Sequence, residues 1–131
     1  MKNYLRIIYL TYDGITDPLG QSQILPYLLG IAKNNFKITI ISFEKDENFN
    51  SSYKIISNEL INNKINWIPL TYTKTPPVLS TIWDIYKLNK KLKKIHSIGV
   101  DLIHCRSYIT SLVALKFKKK HEIPFIFDMR G

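Results

Sequence analysis

The chain has 131 residues, 45% hydrophobic and 22% charged, with five glycines and six prolines. That size and balance suit one domain, residues 1–131, with a real core, and exclude a disordered or fibrous protein. The net charge of +9, from 19 Lys+Arg against 10 Asp+Glu, fits an anionic partner or membrane surface as well as it fits a plain lysine-rich composition.

In chain order, the first element is an apolar run, Leu5 to Leu10, that reads as a buried strand. The loop Thr11 to Gln23 follows, and an apolar, helix-period run from Ile24 to Ile31 closes the unit. The helix is expected to start near Ser22 as its cap, so that Pro26 falls where a missing N–H has no helical partner. Lys37 to Phe43 reads as the second strand, and the polar stretch Glu44 to Ser51 as a mobile loop. A second helix is expected over about Ser52 to Asn63, with Tyr53, Ile56 and Leu60 on one face. Asn66 to Leu70 is the third strand. Thr75-Pro76-Pro77 then reads as a stiff connector to a helix from Leu79 to Ser97, whose stripe is Ile82, Ile85, Leu88, Leu92 and Ile95. Gly99 stops that helix. Asp101 to Cys105 is the fourth strand, Tyr108 to His121 a helix with Ser107 at its cap position, and Pro124 to Asp128 the fifth strand.

Short apolar strands alternating with helices imply a parallel sheet with right-handed crossovers. The expected architecture is α/β: a Rossmann-like, three-layer α/β/α domain of about five strands in the order 3-2-1-4-5. In such a sheet, ligands bind beyond the carboxyl ends of the strands where the strand order reverses, here between strands one and four. Three segments meet at that point: Tyr12 to Gln23, His104 to Tyr108, and Asp128 to Gly131.

The unusual polar residues fall in those segments. Gly14 and Gly20 permit sharp turns and close approach of a ligand, or serve as plain flexible points in a loop. Their spacing is not the dinucleotide fingerprint, so NAD binding is disfavoured. Asp13 suits a sugar hydroxyl or a loop turn, as does Asp17. Gln21, Ser22 and Gln23 are neutral hydrogen-bonding groups at the helix start. His104 ends a buried strand and is either a packed structural residue or a site residue. Arg106 and Arg130 are two of only three arginines, and guanidinium groups grip phosphate or carboxylate in a forked geometry that lysine lacks. Ion pairing with Asp128 or Asp101 is the competing role.

Cys105 is the single cysteine. It excludes an internal disulfide, reads as buried and inert, and suits a reducing compartment. The N-terminal apolar run lacks a signal-peptide pattern, and no stretch approaches the roughly 18 apolar residues of a spanning helix. The expected location is the cytoplasm, either free or peripheral on the inner face of the membrane. Lys87, Lys90, Lys91, Lys93 and Lys94 on the third helix, with Lys116, Lys118, Lys119 and Lys120 on the fourth, are solvated faces or a docking surface for anionic lipid or a phosphorylated acceptor. No interleaving of aromatic and basic residues points to nucleic acid. No metal site is expected.

Two blocks carry a resemblance. YDGITDPLGQSQILPYL resembles the N-terminal start of the group 1, family 4-like glycosyltransferases. DLIHCRSYITSLVALKFKKKHEIPFIFDMRG resembles the later part of the same domain. The resemblance is specific in these blocks and generic between them. It implies half of a GT-B fold: two Rossmann-like domains facing across a cleft, the N-terminal one holding the acceptor and the C-terminal one the nucleotide-sugar donor. Transfer in that family retains anomeric configuration and usually needs no metal; the nucleotide sugar is a co-substrate and no cofactor is implied. By position, Gly14 and Gly20 match the loop near the donor phosphates and the transferred sugar, and Arg106 and Tyr108 match the acceptor-side wall. Arg130 approximately takes the place of a histidine found in many relatives after the fifth strand. The family's paired-glutamate segment and nucleotide-gripping basic residues have no counterpart here. This chain is therefore expected to be a truncated acceptor half, inactive alone; the second expectation is a split enzyme whose donor domain is a separate chain, and a second copy is a further candidate partner. A sugar or lipid-linked glycan acceptor in capsule or lipopolysaccharide synthesis is the implied setting. The reading from another class is a non-catalytic α/β module that docks on a membrane or a protein.

Overall fold

The computed structural model describes residues 4–73 and 75–128. Five strands, β1 (Leu5–Thr11), β2 (Phe36–Glu44), β3 (Asn66–Thr71), β4 (Leu102–Arg106) and β5 (Phe125–Asp128), form one sheet in the order β3-β2-β1-β4-β5. All four pairings are parallel, as the apolar strand runs require. The helices are α1 (Leu25–Ile31), α2 (Asp46–Asn62), α3 (Pro77–His96) and α4 (Tyr108–His121).

Side-chain alternation along the central strands supplies two cores. Ile8 and Leu10 of β1, Phe43 of β2 and Cys105 of β4 pack with Leu88 and Leu92 of α3 and Val113 and Phe117 of α4. Tyr9 of β1 and Ile38 and Ile40 of β2 pack on the other face with Leu25 and Leu28 of α1 and Ile56 and Leu60 of α2. The sheet is thus covered on both sides, which explains why its strands show no polar alternation.

Several local expectations are corrected. The polar stretch after β2 is not a mobile loop: Glu44 ends the strand, and α2 begins at Asp46 rather than Ser52. Asp46 and Glu47 lie in its first turn, where negative charge complements the helix dipole. Tyr53 is exposed, and its ring packs on Phe49 and Trp67.

Ser22 is not a helix cap. The Gln21 N–H already donates to Asp17 O at 2.9 Å, and Gly20–Ile24 form a wide π-helical turn that feeds α1. The Leu25 N–H reaches back to Gly20 O. This widened turn shifts the ladder just before Pro26, whose ring would otherwise crowd the carbonyl four residues back.

In α3 the buried positions are Ser80, Asp84, Leu88 and Leu92. Ile82 of the expected stripe points to solvent. Ser107 stands at the cap position of α4 but makes no side-chain capping bond. The Thr110 hydroxyl donates to the Arg106 and Ser107 carbonyls instead.

Candidate functional site

The carboxyl ends of β1 and β4 meet where the strand order reverses, and a pocket of about 320 Å³ opens beside them. Its walls include Tyr9 from β1, Gln23 and Tyr27 from the π turn and α1, His104 and Arg106 from β4, and Asp128 from β5. His104 and Arg106 are two apart in a strand and so project on the same face.

Arg106 is the hub. It is buried, and its guanidinium donates to Asp13 Oδ2 at 3.3 Å and to Gln23 Oε1 at 3.0 Å. A buried guanidinium needs such partners. Its position in β4 comes from sheet register, since Thr11 pairs with Arg106 and Arg106 with Asp128. The guanidinium has more N–H donors than these neighbours use. Burial pushes the Tyr9 phenol up to about 12, against the pull of the nearby Arg106 charge, so Tyr9 serves as a neutral hydroxyl.

His104 is nearly enclosed, with its ring against Tyr9 (centroids 4.8 Å) and Tyr27 (5.7 Å). Its Nε2 lies 4.0 Å from Asp128 Oδ2 and has no hydrogen-bond partner among the described residues. Burial holds the imidazole below its usual value, and the Asp128 carboxylate partly restores it. With the Tyr9 phenol, His104 and Arg106 are the buried ionisable side chains of this pocket; Asp17, Glu44 and Asp84 are buried elsewhere.

The loop between β1 and the π turn is clamped by two carboxylates. The Glu44 carboxylate at the end of β2 accepts from the Ile15 N–H (2.8 Å), the Thr16 N–H (3.1 Å), the Thr16 hydroxyl (2.6 Å) and the Ser42 hydroxyl. Asp17 accepts from the Gly14 N–H (3.0 Å), Asn48 (2.8 Å) and Lys45 (2.9 Å). Burial opposes ionisation of Asp17, but these three donors outweigh it and hold the carboxyl below its ordinary range. At the loop's start, the Tyr12 hydroxyl donates to the buried Asp84 of α3 at 2.7 Å. Burial and that carboxylate both push the Tyr12 phenol upward.

Packing accounts for both glycines. A Cβ on Gly14 would lie 2.7 Å from Glu44 Oε1 and 3.0 Å from Phe43 O. One on Gly20 would lie 2.0 Å from Gly14 O and 2.8 Å from Ile15 Cα. Gln21 staples the same loop, its Nε2 donating to Thr16 O at 2.9 Å.

The residues singled out by sequence therefore divide. Asp13, His104 and Arg106 come together, with Gln23 completing the Arg106 contacts. Gly14, Gly20 and Gln21 build the loop beside them. Tyr108 opens α4 as an exposed ring against Phe127, at the rim. Arg130 lies outside the described residues. Cys105 faces the α3–α4 core; its thiol donates to Ile126 O, and burial pushes it up to about 11. Among the described residues no three His, Cys, Asp or Glu side chains gather as metal ligands would. Sequence reading missed Tyr9, Tyr27 and Glu44; the usable signal was position, since Glu44 is an acid at the carboxyl end of the strand next to β1.

Ser107, just after Arg106, has φ 90° and ψ 161°, a region that side chains strongly disfavour. Its hydroxyl is buried without a partner among the described residues. Strain of this kind is held only where the surroundings over-determine it.

No protein-family model matches the chain, and no curated protein matches it. Solved structures do. The C-terminal domain of a hydrogenase from Pyrococcus furiosus superposes with a TM-score of 0.67 at 15% identity, over 98% of this chain and 94% of that one. A glycosyltransferase from Rickettsia africae superposes with a TM-score of 0.57 at 16% identity. The match covers 96% of this chain but only 30% of the glycosyltransferase. At these identities the likeness is one of fold: a Rossmann-like α/β sheet shared by proteins of different activity.

Proposed function

We propose that the pocket at the β1–β4 junction binds a carbohydrate, and that the chain is the acceptor-side part of a retaining glycosyltransferase. In this reading a nucleotide sugar is the donor, and a glycan or lipid-linked sugar, as in cell-surface polysaccharide synthesis, is the acceptor. The observation that carries it is the cluster of Arg106, Asp13, Gln23 and His104 beside the Tyr27 ring. A sugar presents hydroxyls to forked donors and acceptors, and an apolar C–H face to an aromatic ring. Half-exposed Tyr27 supplies the ring, and the buried Nε2 of His104 supplies an unused polar atom. The pocket volume suits about one sugar ring rather than a dinucleotide. A glycosyltransferase contains this fold over 30% of its length, which fits a chain that forms one part of such an enzyme. Grip on the donor diphosphate then falls to a second domain or chain.

The test is a titration of the chain with monosaccharides and a polyprenyl-phosphate sugar, followed by amide chemical shifts. The expected result is weak, saturable binding with shifts centred on Tyr27, His104 and Arg106. Gln23→Ala, at an exposed side chain, is expected to weaken binding several-fold, and Arg106→Lys to weaken it more. Saturable binding whose shifts lie elsewhere, or no binding to any sugar, overturns the assignment.

A further inference from the structure

The outward face of α3 is divided along its length. Its first half exposes Val78 (72%), Leu79 (65%), Ile82 (57%), Trp83 (52%) and Tyr86 (54%). The Trp83 and Tyr86 rings stack at 5.5 Å, leaving one broad apolar surface. The second half continues the same face as lysine, with Lys90, Lys93 and Lys94 exposed. Beside it runs a groove of about 480 Å³ between α3 and α4, where Lys90 and Lys93 face Lys116 and Lys120 over Tyr86 and Phe117. Among the described residues none of these four lysines has a carboxylate within ion-pair distance. Lys87 differs: it is spent on Asp84 and the Thr71 carbonyl.

Exposed apolar patches of this kind mark interaction sites. A helix that buries Leu88 and Leu92 inward already has its core contact, so the outer apolar face has no role in folding. Trp and Tyr have apolar bodies and polar tips that suit the headgroup layer, and lysines beside them attract anionic phosphate. Charge selects among occupants. A second copy would bring the same lysines against these, and repulsion opposes that pairing; a surface dense in phosphate complements them.

We propose that the α3 face docks on an anionic lipid bilayer, with Trp83, Tyr86, Leu79 and Ile82 entering the interface and the α3–α4 groove holding lipid phosphates. The N-terminal half of α3 follows the carboxyl end of β3, so its aromatic end lies at the same sheet edge as the β1–β4 pocket. The proposal does not depend on what the pocket binds.

The test is co-sedimentation of the chain with vesicles of phosphatidylcholine alone and with about a third phosphatidylglycerol. Binding is expected only to the anionic vesicles, weakening as salt shortens the screening length. Brominated lipid is expected to quench tryptophan fluorescence, and Trp83→Ala to abolish that quenching and reduce binding at least tenfold. Lys90→Glu with Lys93→Glu is expected to reduce binding by more than about twentyfold, on about fivefold per lysine removed. Lys33→Glu with Lys54→Glu makes the same charge change at exposed positions away from α3 and should cost far less. Equal losses in the two double variants, or full binding by Trp83→Ala, would overturn the assignment of the face. Concentration-dependent dimers lost in Trp83→Ala, without vesicle binding, would assign the face to a second copy and overturn the lipid reading. Trp83→Ala should leave sugar titrations unchanged, which separates this proposal from the pocket.

Discussion

Gly20→Ala and Gly30→Ala make the same chemical change with opposite expected outcomes. At Gly20 the added methyl would sit 2.0 Å from Gly14 O and 2.9 Å from Ile15 O, against the 3.4 Å at which ordinary contact begins. Every crowding atom is backbone, so no side chain can swing aside. The loop has to shift, and Gly14 O is the acceptor for the Asp17 N–H. Overpacking costs about 1–3 kcal/mol, and one backbone hydrogen bond adds about 1 kcal/mol. Gly20→Ala should therefore lose about 2–4 kcal/mol of stability, a large part of a small domain's total. At Gly30, near the end of α1, nothing lies within 4 Å, and replacing glycine in a helix gains about 0.5–1 kcal/mol. Urea unfolding followed by tryptophan fluorescence reads both. With a slope of about 2 kcal/mol per molar, the midpoint should fall by about 1–2 M for Gly20→Ala and rise by about 0.25–0.5 M for Gly30→Ala. A Gly20→Ala midpoint at or above the parent value would show that the loop does not close on itself as described.

Glu44→Gln keeps the shape of the clamp but removes its charge, and should cost about 1.5–3 kcal/mol because charged acceptors make the stronger bonds; calorimetry checks this, and sugar affinity should fall with it. Ser107→Gly relieves the positive φ and should raise the unfolding midpoint by an amount equal to about 1 kcal/mol. His104 is held below its free value of 6.5 by burial. Between those two values the unfolded chain binds more protons, so its contribution is complete above 6.5 and declines as pH falls below it. Asp17 acts in the same direction at lower pH: its stabilisation is present above the ordinary 3.8 and is lost as pH falls through the lower folded value. Urea midpoints across pH should show both declines, and His104→Gln should flatten only the upper one. Leu88→Ala, at a fully enclosed core position, should cost about 2–5 kcal/mol by the same assay.

The strands and their order were readable because each is a short apolar run between helical patterns, and such runs have few ways to be buried. Arg106 stood out for a related reason: a rare guanidinium at a strand end that topology carries to the switch point. The start of α2 was hidden because its first turn, Asp46 to Asn48, is polar and looks like loop, although the two acids are what a helix start favours. The outward turn of Ile82 was hidden because helical spacing marks a stripe but not where the neighbouring sheet ends; there Asp84, not Ile82, reaches inward to Tyr12. Tyr9 read as ordinary core, and only register places it beside His104. Glu44 was invisible because its three partner residues lie about thirty residues away or in its own strand, and no local pattern encodes such a clamp.

The mooring of the Ile15–Thr16 backbone to Glu44 has a consequence for recognition. A loop fixed to the sheet has already lost its freedom when the chain folds, and does not lose it again when a guest arrives beside it. Gln23, in the turn at the far end of that loop, is then presented to the pocket from a fixed base. Changing how Gln23 is presented should therefore begin in the second strand, at a carboxylate no guest touches.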